Sequence, residues 1–227
     1  MLHTRRLSIV LLAALLLVAV GLPSASAADS IETAVQAAVQ WLHTQQLPDG
    51  SFGGTTKQPS AAITSDVVYV LALAGEDVDG PAWTKGGMSA LDALAKMAPG
   101  YIGTDAGQAG KVARAAAAAG ADPRAFGGMD VIAIIEKAYD SATGRYHPSF
   151  LFRQTLAMEG LRVSREPVPA KAYDALRAGQ LADGGWAGAS PTPEKTPTPD
   201  IDSTGRVLQT LSTQSQGVCD MDFVSGV

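Results

Sequence analysis

The chain has 227 residues, of which 46% are hydrophobic and 17% charged, and its net charge is −5. A mildly acidic chain without a Lys/Arg cluster is a poor candidate for nucleic-acid binding, because neutralisation of phosphates dominates that affinity. The single cysteine, Cys219, excludes an internal disulfide, so packing must hold the fold together.

The N-terminus has the order of segments typical of a secretory signal peptide. Arg5 and Arg6 precede an apolar run from Leu7 to Leu22, and Ala25-Ser26-Ala27 is a small-residue cleavage pattern. The apolar run is short for a membrane span, which needs roughly 20 residues. The sequence therefore predicts a signal peptide over residues 1–27 and a secreted or cell-surface location for the mature chain.

A turn of glutamine, aspartate, glycine and an aromatic residue recurs along the chain. Gln46 to Phe52 reads Q-L-P-D-G-S-F, and Gln180 to Trp186 reads Q-L-A-D-G-G-W. Weaker copies are Pro99 to Tyr101 and Tyr139 to Tyr146. The turn glycines lie 40 to 50 residues apart, which is the period of helix-pair repeats: Gly50, Gly100, Gly144 and Gly184.

Each turn is predicted to join two helices, and no stretch has the alternation of a strand. Amphipathic first helices are predicted at Ile31 to Gln45, Met88 to Ala98, Met129 to Ala138 and Pro169 to Gly179. Second helices, started by Ser, Thr or Asp and mostly ended by Gly, are predicted at Val67 to Ala74, Asp105 to Ala119, Phe150 to Glu159 and Val207 to Leu211. Val67 to Ala74 is apolar on every face, which predicts burial all round. The predicted fold class is all-α.

The turns resemble the QW repeats of the prenyltransferase and squalene-cyclase superfamily, over roughly residues 30–213. The resemblance implies a partial α/α toroid of about four helix pairs in residues 28–213, followed by an irregular tail, residues 214–227. Second helices would surround a central cavity and first helices would flank them. The glutamine amide of each QW turn would bond backbone groups at a helix end, with the aromatic ring stacked against it.

The superfamily includes class II terpene cyclases, which protonate an alkene or epoxide with the middle aspartate of a D-x-D-D-T motif. Asp200-Ile201-Asp202-Ser203-Thr204 is similar, but serine replaces the last aspartate. By resemblance Asp202 would be the general acid, with Asp200 beside it, and such an acid needs a raised pKa. The alternative is that Asp202 or Ser203 caps the fourth second helix, as Ser65 or Asp66 would cap the first.

Metal and cofactor chemistry is not predicted. Protein prenyltransferases hold zinc with Asp, Cys and His, whereas here Cys219 lies outside the repeats and His43 and His147 have no ligand spacing. No phosphate-binding or dinucleotide-binding glycine motif is present. We expect neither metal nor cofactor.

The absence of a complete acid motif favours binding without catalysis. Exported toroids of similar arrangement include the cobalamin carriers, intrinsic factor and transcobalamin, which hold a ligand without reacting with it. We therefore expect a non-catalytic module for a small ligand or a surface partner, with a terpene cyclase-like enzyme as the alternative. Four helix pairs are fewer than a closed ring of this type needs, so the chain is interpreted as a truncated ring, an open arc, or part of an oligomer joined through its open repeat ends.

Overall fold

The computed structural model describes residues 27–188 and 197–215, and within them the chain is all-α. Its eight α-helices are α1 Ala27–Gln45, α2 Ala61–Leu73, α3 Ala90–Ile102, α4 Ala106–Ala118, α5 Val131–Ala138, α6 Leu151–Val163, α7 Ala170–Ala178 and α8 Ile201–Ser215. Two 3-10 turns, Pro81–Trp83 and Pro123–Ala125, precede α3 and α5. Residues 1–26 of the predicted signal peptide, and Cys219 with the rest of the predicted tail beyond Ser215, lie outside the described residues.

The chain divides into two compact units, residues 1–40 and residues 41–227. The first unit is described only by the part of α1 that it contains. The second unit holds the end of α1 and all the other elements. None of the helices in the described part of the chain is long and apolar enough to cross a membrane.

A short β-hairpin corrects the expectation that the chain has no strands. Thr84–Lys85 (β1) pairs antiparallel with Met88–Ser89 (β2) around the turn Gly86-Gly87. Both glycines have positive φ, and a Cβ on Gly86 would overlap the carbonyl oxygen of Pro48. The same Gly-Gly-Met sequence recurs at Gly127, where it precedes α5. These turns start the first helices of the second and third pairs, and the sequence analysis missed them.

The second helices of the four pairs lie side by side in chain order. Helix α4 packs against both α2 and α6, and α6 packs in turn against α8. Of the first helices, α3 packs on α2 and α4, and α5 packs on α4 and α6. The predicted alternation of first and second helices therefore holds, with α4 and α6 at the centre of the second-helix layer.

Several predicted helix boundaries are wrong because the real caps lie upstream. Helix α2 begins at Ala61 and is capped by the Ser60 hydroxyl, which accepts the Ile63 N–H at 3.4 Å. Ser65 and Asp66 therefore lie inside the helix and do not cap it. The prediction for α4 was correct at its start, since the Asp105 carboxylate accepts the Gln108 N–H at 2.9 Å.

Two glycines that were expected to interrupt helices lie inside them. Gly100, predicted to be part of a weak QW turn with Pro99 and Tyr101, is in the last turns of α3, which ends only at Gly103. Gly160 was predicted to end the third second helix, but α6 continues to Val163.

The contact between α4 and α6 explains the position of Gly160. A Cβ on Gly160 would overlap the backbone of Gly110, and a Cβ on Gly110 would overlap the carbonyl oxygen of Leu156. Nine residues of α4 are buried, most of them alanine or glycine, so its backbone can approach a neighbour closely. The glycines are required because the two backbones leave no room for a side chain.

Helix α2 is less buried than its apolar sequence predicted. Val68 and Leu71 are buried, but Val70 and Leu73 are 48% and 46% exposed. The reason is its position at the beginning of the row of second helices, where α4 lies on one side and no second helix precedes it. Apolarity on every face therefore did not predict burial all round.

We predict that Gly110→Ala destabilises the protein although alanine is the better helix former. Overpacking of this contact is expected to cost about 1–3 kcal/mol, which exceeds the gain in helix propensity of about 1 kcal/mol. Gly205→Ala is the matched control, because Gly205 lies inside α8 with open space around its Cβ position among the described residues. That control should stabilise the protein by about 0.5–1 kcal/mol. Urea denaturation of both variants measures the difference, and equal shifts in one direction would contradict the close approach.

Candidate functional site

The glutamine of each strong turn bonds backbone carbonyls as predicted, but these belong to the turn itself and to the 3-10 helix at Trp83, not to the end of the first helix. The Gln46 amide donates to the carbonyl oxygens of Gly50 at 3.0 Å and Trp83 at 2.7 Å. The Gln180 amide donates to the carbonyl oxygen of Gly184 at 2.9 Å. In both turns the glutamine thus binds the carbonyl four residues ahead and closes the loop after a first helix.

The aspartates and aromatic residues of these turns also have structural roles. The Asp49 carboxylate accepts the Ser51 N–H at 3.1 Å, and the Asp183 carboxylate accepts the Gly185 N–H at the same distance. The Trp186 indole N–H donates to the carbonyl oxygen of Leu176, at the end of α7. Phe52 and Trp186 are 1% and 3% exposed, which places both aromatic rings in the core.

In three of the second helices, the side chain of the fourth residue forms hydrogen bonds with the turn that precedes the helix. The Phe52 backbone N–H donates to the Thr64 hydroxyl at 2.9 Å, and the Trp186 backbone N–H donates to the Thr204 hydroxyl at 3.0 Å. In the third pair, which has no turn glutamine, the Gln154 side chain accepts the Tyr146 N–H at 2.6 Å and donates to Gly144 at 2.9 Å. Gln154 of α6 thus bonds both the glycine carbonyl and the aromatic N–H. No sequence signal indicated these contacts, because the loop between the aromatic residue and the second helix varies in length.

A row of ion pairs joins all four second helices. Arg114 of α4 donates to Asp66 of α2 at 2.6 Å and to Glu159 of α6 at 2.8 Å. Lys111 pairs with Asp66 at 2.7 Å, and Arg206 of α8 pairs with Glu159 at 3.2 Å. The sign of charge alternates from helix to helix. The Arg114 and Glu159 side chains are 5% and 12% exposed, so solvent screening of this pair is weak, whereas Asp66 is 48% exposed.

Aromatic rings on this face contact arginines. The Arg114 guanidinium lies 4.7 Å from the centre of the Tyr69 ring, and the Arg206 guanidinium lies 5.5 Å from that of Phe152. Both distances are within the range of cation–π attraction. Burial raises the pKa of the Tyr69 hydroxyl and the Glu159 charge adds to the rise, while nearby arginines oppose it. Tyr69 therefore stays protonated at neutral pH.

A pocket lies beside this row, where α6, α7 and α8 meet. It is a small cleft with a cavity volume of about 20 Å³, far below the ~300–1,000 Å³ of drug-sized ligand pockets. Its floor is Met158, which is buried, and its polar walls include Glu159 and Arg162. No motif in the sequence pointed to Glu159 or Arg162 as functional residues.

The aspartates predicted as a catalytic pair lie at the start of α8. Asp200 is the helix cap, since its carboxylate accepts the Ser203 N–H at 2.7 Å. The hydrogen bonds from the Ser203 N–H and hydroxyl lower the pKa of Asp200. Asp202 is exposed on the first turn, and Ser203 is buried behind it. The capping interpretation was thus right about the kind of role but wrong about the residue.

A shallow pocket adjoins these aspartates. Its walls include Asp183, Pro199, Asp200 and Thr204, and none of its lining residues is aromatic. No group of three or more His, Cys, Asp or Glu side chains that could hold a metal ion lies within residues 27–188 and 197–215.

His147 holds the turn that precedes α6, a role that no sequence signal indicated. Its Nδ1 atom accepts the N–H groups of Ser149 at 3.1 Å and Phe150 at 3.0 Å, so the neutral ring must carry its proton on Nε2. Burial lowers the pKa of His147; the Asp105 charge opposes this effect and the Arg153 charge adds to it. Protonation of Nδ1 would break both hydrogen bonds and put positive charge at the positive end of the helix dipole.

We predict that Arg114→Met destabilises the protein more than Arg124→Met. Arg124 makes three ion pairs, with Asp130, Glu136 and Glu166, but its side chain is 38% exposed. Exposed pairs are worth about 0–1 kcal/mol, whereas loss of the buried cation leaves two carboxylates short of a partner and should cost about 2–4 kcal/mol. Urea midpoints measure both costs. Equal losses would show that the row contributes no more than a surface network.

We predict that stability falls on acidification from pH 7 to pH 5 and that His147 accounts for part of the fall. The folded pKa of His147 lies below its usual value of 6.5. The unfolded chain therefore binds more protons than the folded chain in this range, so acidification lowers the free energy of unfolding. The contribution is complete above pH 6.5 and disappears as the pH falls through the folded pKa. His147→Gln should have a flatter stability profile than the wild type over this range. Parallel stability profiles of wild type and variant would rule out the His147 hydrogen bonds as a cause of the fall in stability.

Similarity to known proteins adds no family to this picture. Comparison of the chain with protein-family models, with curated proteins and with solved structures returns no match. The resemblance to QW repeats therefore depends on the turn residues and on the order of the helices alone. What the structure establishes by itself is an all-α chain whose second helices are joined by buried charge.

Proposed function

We propose that the chain is an exported, non-catalytic module that binds a small ligand or a surface partner on the face of its second helices. The architecture proposed with it is the partial α/α toroid of the prenyltransferase and squalene-cyclase superfamily. The glutamine geometry of the two strong turns and the side-by-side order of α2, α4, α6 and α8 support that architecture.

The state of the Asp200 and Asp202 carboxylates is the observation on which the non-catalytic assignment depends. A general acid for alkene protonation must hold a proton at neutral pH, so its pKa must be raised by an apolar pocket. Asp200 has the opposite shift because it accepts hydrogen bonds as a helix cap. Asp200 therefore holds no proton to donate at neutral pH. Asp202 is exposed and so lacks the apolar pocket that a general acid of this kind needs.

The aromatic residues of the second-helix face also favour binding over cyclisation. A carbocation cascade needs aromatic faces free to stabilise positive charge. The rings of Tyr69, Phe150 and Phe152 instead lie against the guanidinium groups of Arg114, Arg153 and Arg206. Those ring faces already have cationic partners within the protein.

Two measurements on the exported protein test the proposal. Native mass spectrometry should detect a co-purified small molecule or a partner chain, and peptide mapping should place the N-terminus at Ala28. Incubation with a polyprene such as squalene should yield no cyclised product, either with the wild type or with Asp202→Asn. Cyclisation that disappears in Asp202→Asn would overturn the non-catalytic assignment and establish the enzyme alternative.

A further inference from the structure

Among the described residues, the row of ion pairs together with the neighbouring Arg162 has more cations than carboxylates. Glu159 and Asp66 are its acids, and each is shared by two cations. The cations are Lys111, Arg114, Arg206 and, on the next turn of α6, Arg162. Four cations and two carboxylates leave two positive charges in excess, on a chain whose net charge is −5. Such a local reversal of sign attracts anions.

Arg162 is the cation that supplies this excess without a partner. Among residues 30–188 and 197–214 no carboxylate pairs with it, although it lines the same pocket as Glu159. Its charge lies close enough to oppose the rise in pKa that burial causes at Tyr173. The guanidinium thus has its donors available at a pocket wall. Arginine is also the side chain best suited to bind an oxyanion with two parallel hydrogen bonds.

Tyr173 supplies a second free donor at the same pocket. Burial raises the pKa of its hydroxyl, so the group keeps its proton at neutral pH, and it has no hydrogen-bond partner in the described part of the chain. The hydroxyls of Thr210 and Thr213 already donate to carbonyl oxygens of α8, at 2.9 and 2.8 Å. The open donors therefore belong to α6 and α7.

The chemistry of the remaining wall disfavours a cationic ligand. Glu159 is the acid of the pocket, and one of its oxygens already accepts hydrogen bonds from Arg114 and Arg206. A bound cation would have to compete with two guanidinium groups for that carboxylate. An anion meets no such competition at Arg162.

We propose that this pocket binds a compact oxyanion, a phosphate or carboxylate group of a small molecule, through the Arg162 guanidinium and the Tyr173 hydroxyl. The proposal rests on the proposed function, because it names the ligand chemistry for the same face. The cleft has a volume of only about 20 Å³, so the oxyanion lies at its mouth against the two donors, where the excess positive charge raises its local concentration.

Titration of the full mature chain with inorganic phosphate, and separately with succinate, tests the proposal by calorimetry at constant ionic strength. The wild type should bind at least one of them saturably, and comparison of the two distinguishes phosphate from carboxylate recognition. Arg162→Gln should weaken binding by about tenfold or more, the effect of losing a hydrogen bond to a charged group. Tyr173→Phe should weaken it less, since the charge remains.

Arg165→Gln is the matched control, because it removes the same charge from an exposed residue three positions along the chain. It should bind the anion like the wild type, and thermal melts should show that both arginine variants are folded. The inference is overturned if neither anion binds saturably, or if Arg162→Gln binds as tightly as Arg165→Gln. A co-purified neutral ligand together with no anion binding would overturn this inference and leave the proposed function standing.

Discussion

The close contact between the backbones of α4 and α6 determines the arrangement of the second helices. Gly110 and Gly160 meet where no side chain would fit, so the two helices lie closer than helices with larger contact residues, whose axes are typically 8–10 Å apart. This contact aligns the two helices so that charged side chains on one reach the next. The small residues of α4 are therefore a requirement of the whole row of helices and not only of α4 itself.

Buried charge follows from that alignment. Arg114 belongs to a helix with nine buried residues, and such a buried cation is stable only because Asp66 and Glu159 pair with it from both sides. Glu159 in turn reaches Arg206 on the last helix. Arg162, one turn further along α6, forms no ion pair with a carboxylate among the described residues, and this leaves a surplus of positive charge at the pocket. Structure and proposed binding chemistry thus have a common origin in the helix spacing.

The corners between helices show how a repeat can conserve a function while changing the residue that performs it. In the first and fourth pairs, a turn glutamine bonds the glycine carbonyl and a threonine of the second helix accepts the aromatic N–H. In the third pair Gln154 alone satisfies both the glycine carbonyl and the aromatic N–H. The second pair has no such corner, because α3 continues through Gly100 and ends at Gly103. Each corner satisfies backbone groups that burial would otherwise leave without partners.

The amino-acid sequence by itself determined the helical class, the four helix pairs and the glutamine turns, because these depend on residue period, capping and local hydrogen bonds. It predicted α4 well, where Asp105 caps the helix and Gly120 follows it. Tertiary structure alone decided the role of Gly160, which local rules assign to a helix end and which packing against Gly110 keeps inside one. It also decided which charges meet, because Asp66, Arg114 and Glu159 lie more than forty residues apart and only the spacing of the helices brings them together. Local signals carry no information about such distances, so the charged row, and Arg162 without an ion pair in the described residues, became visible only in the folded chain.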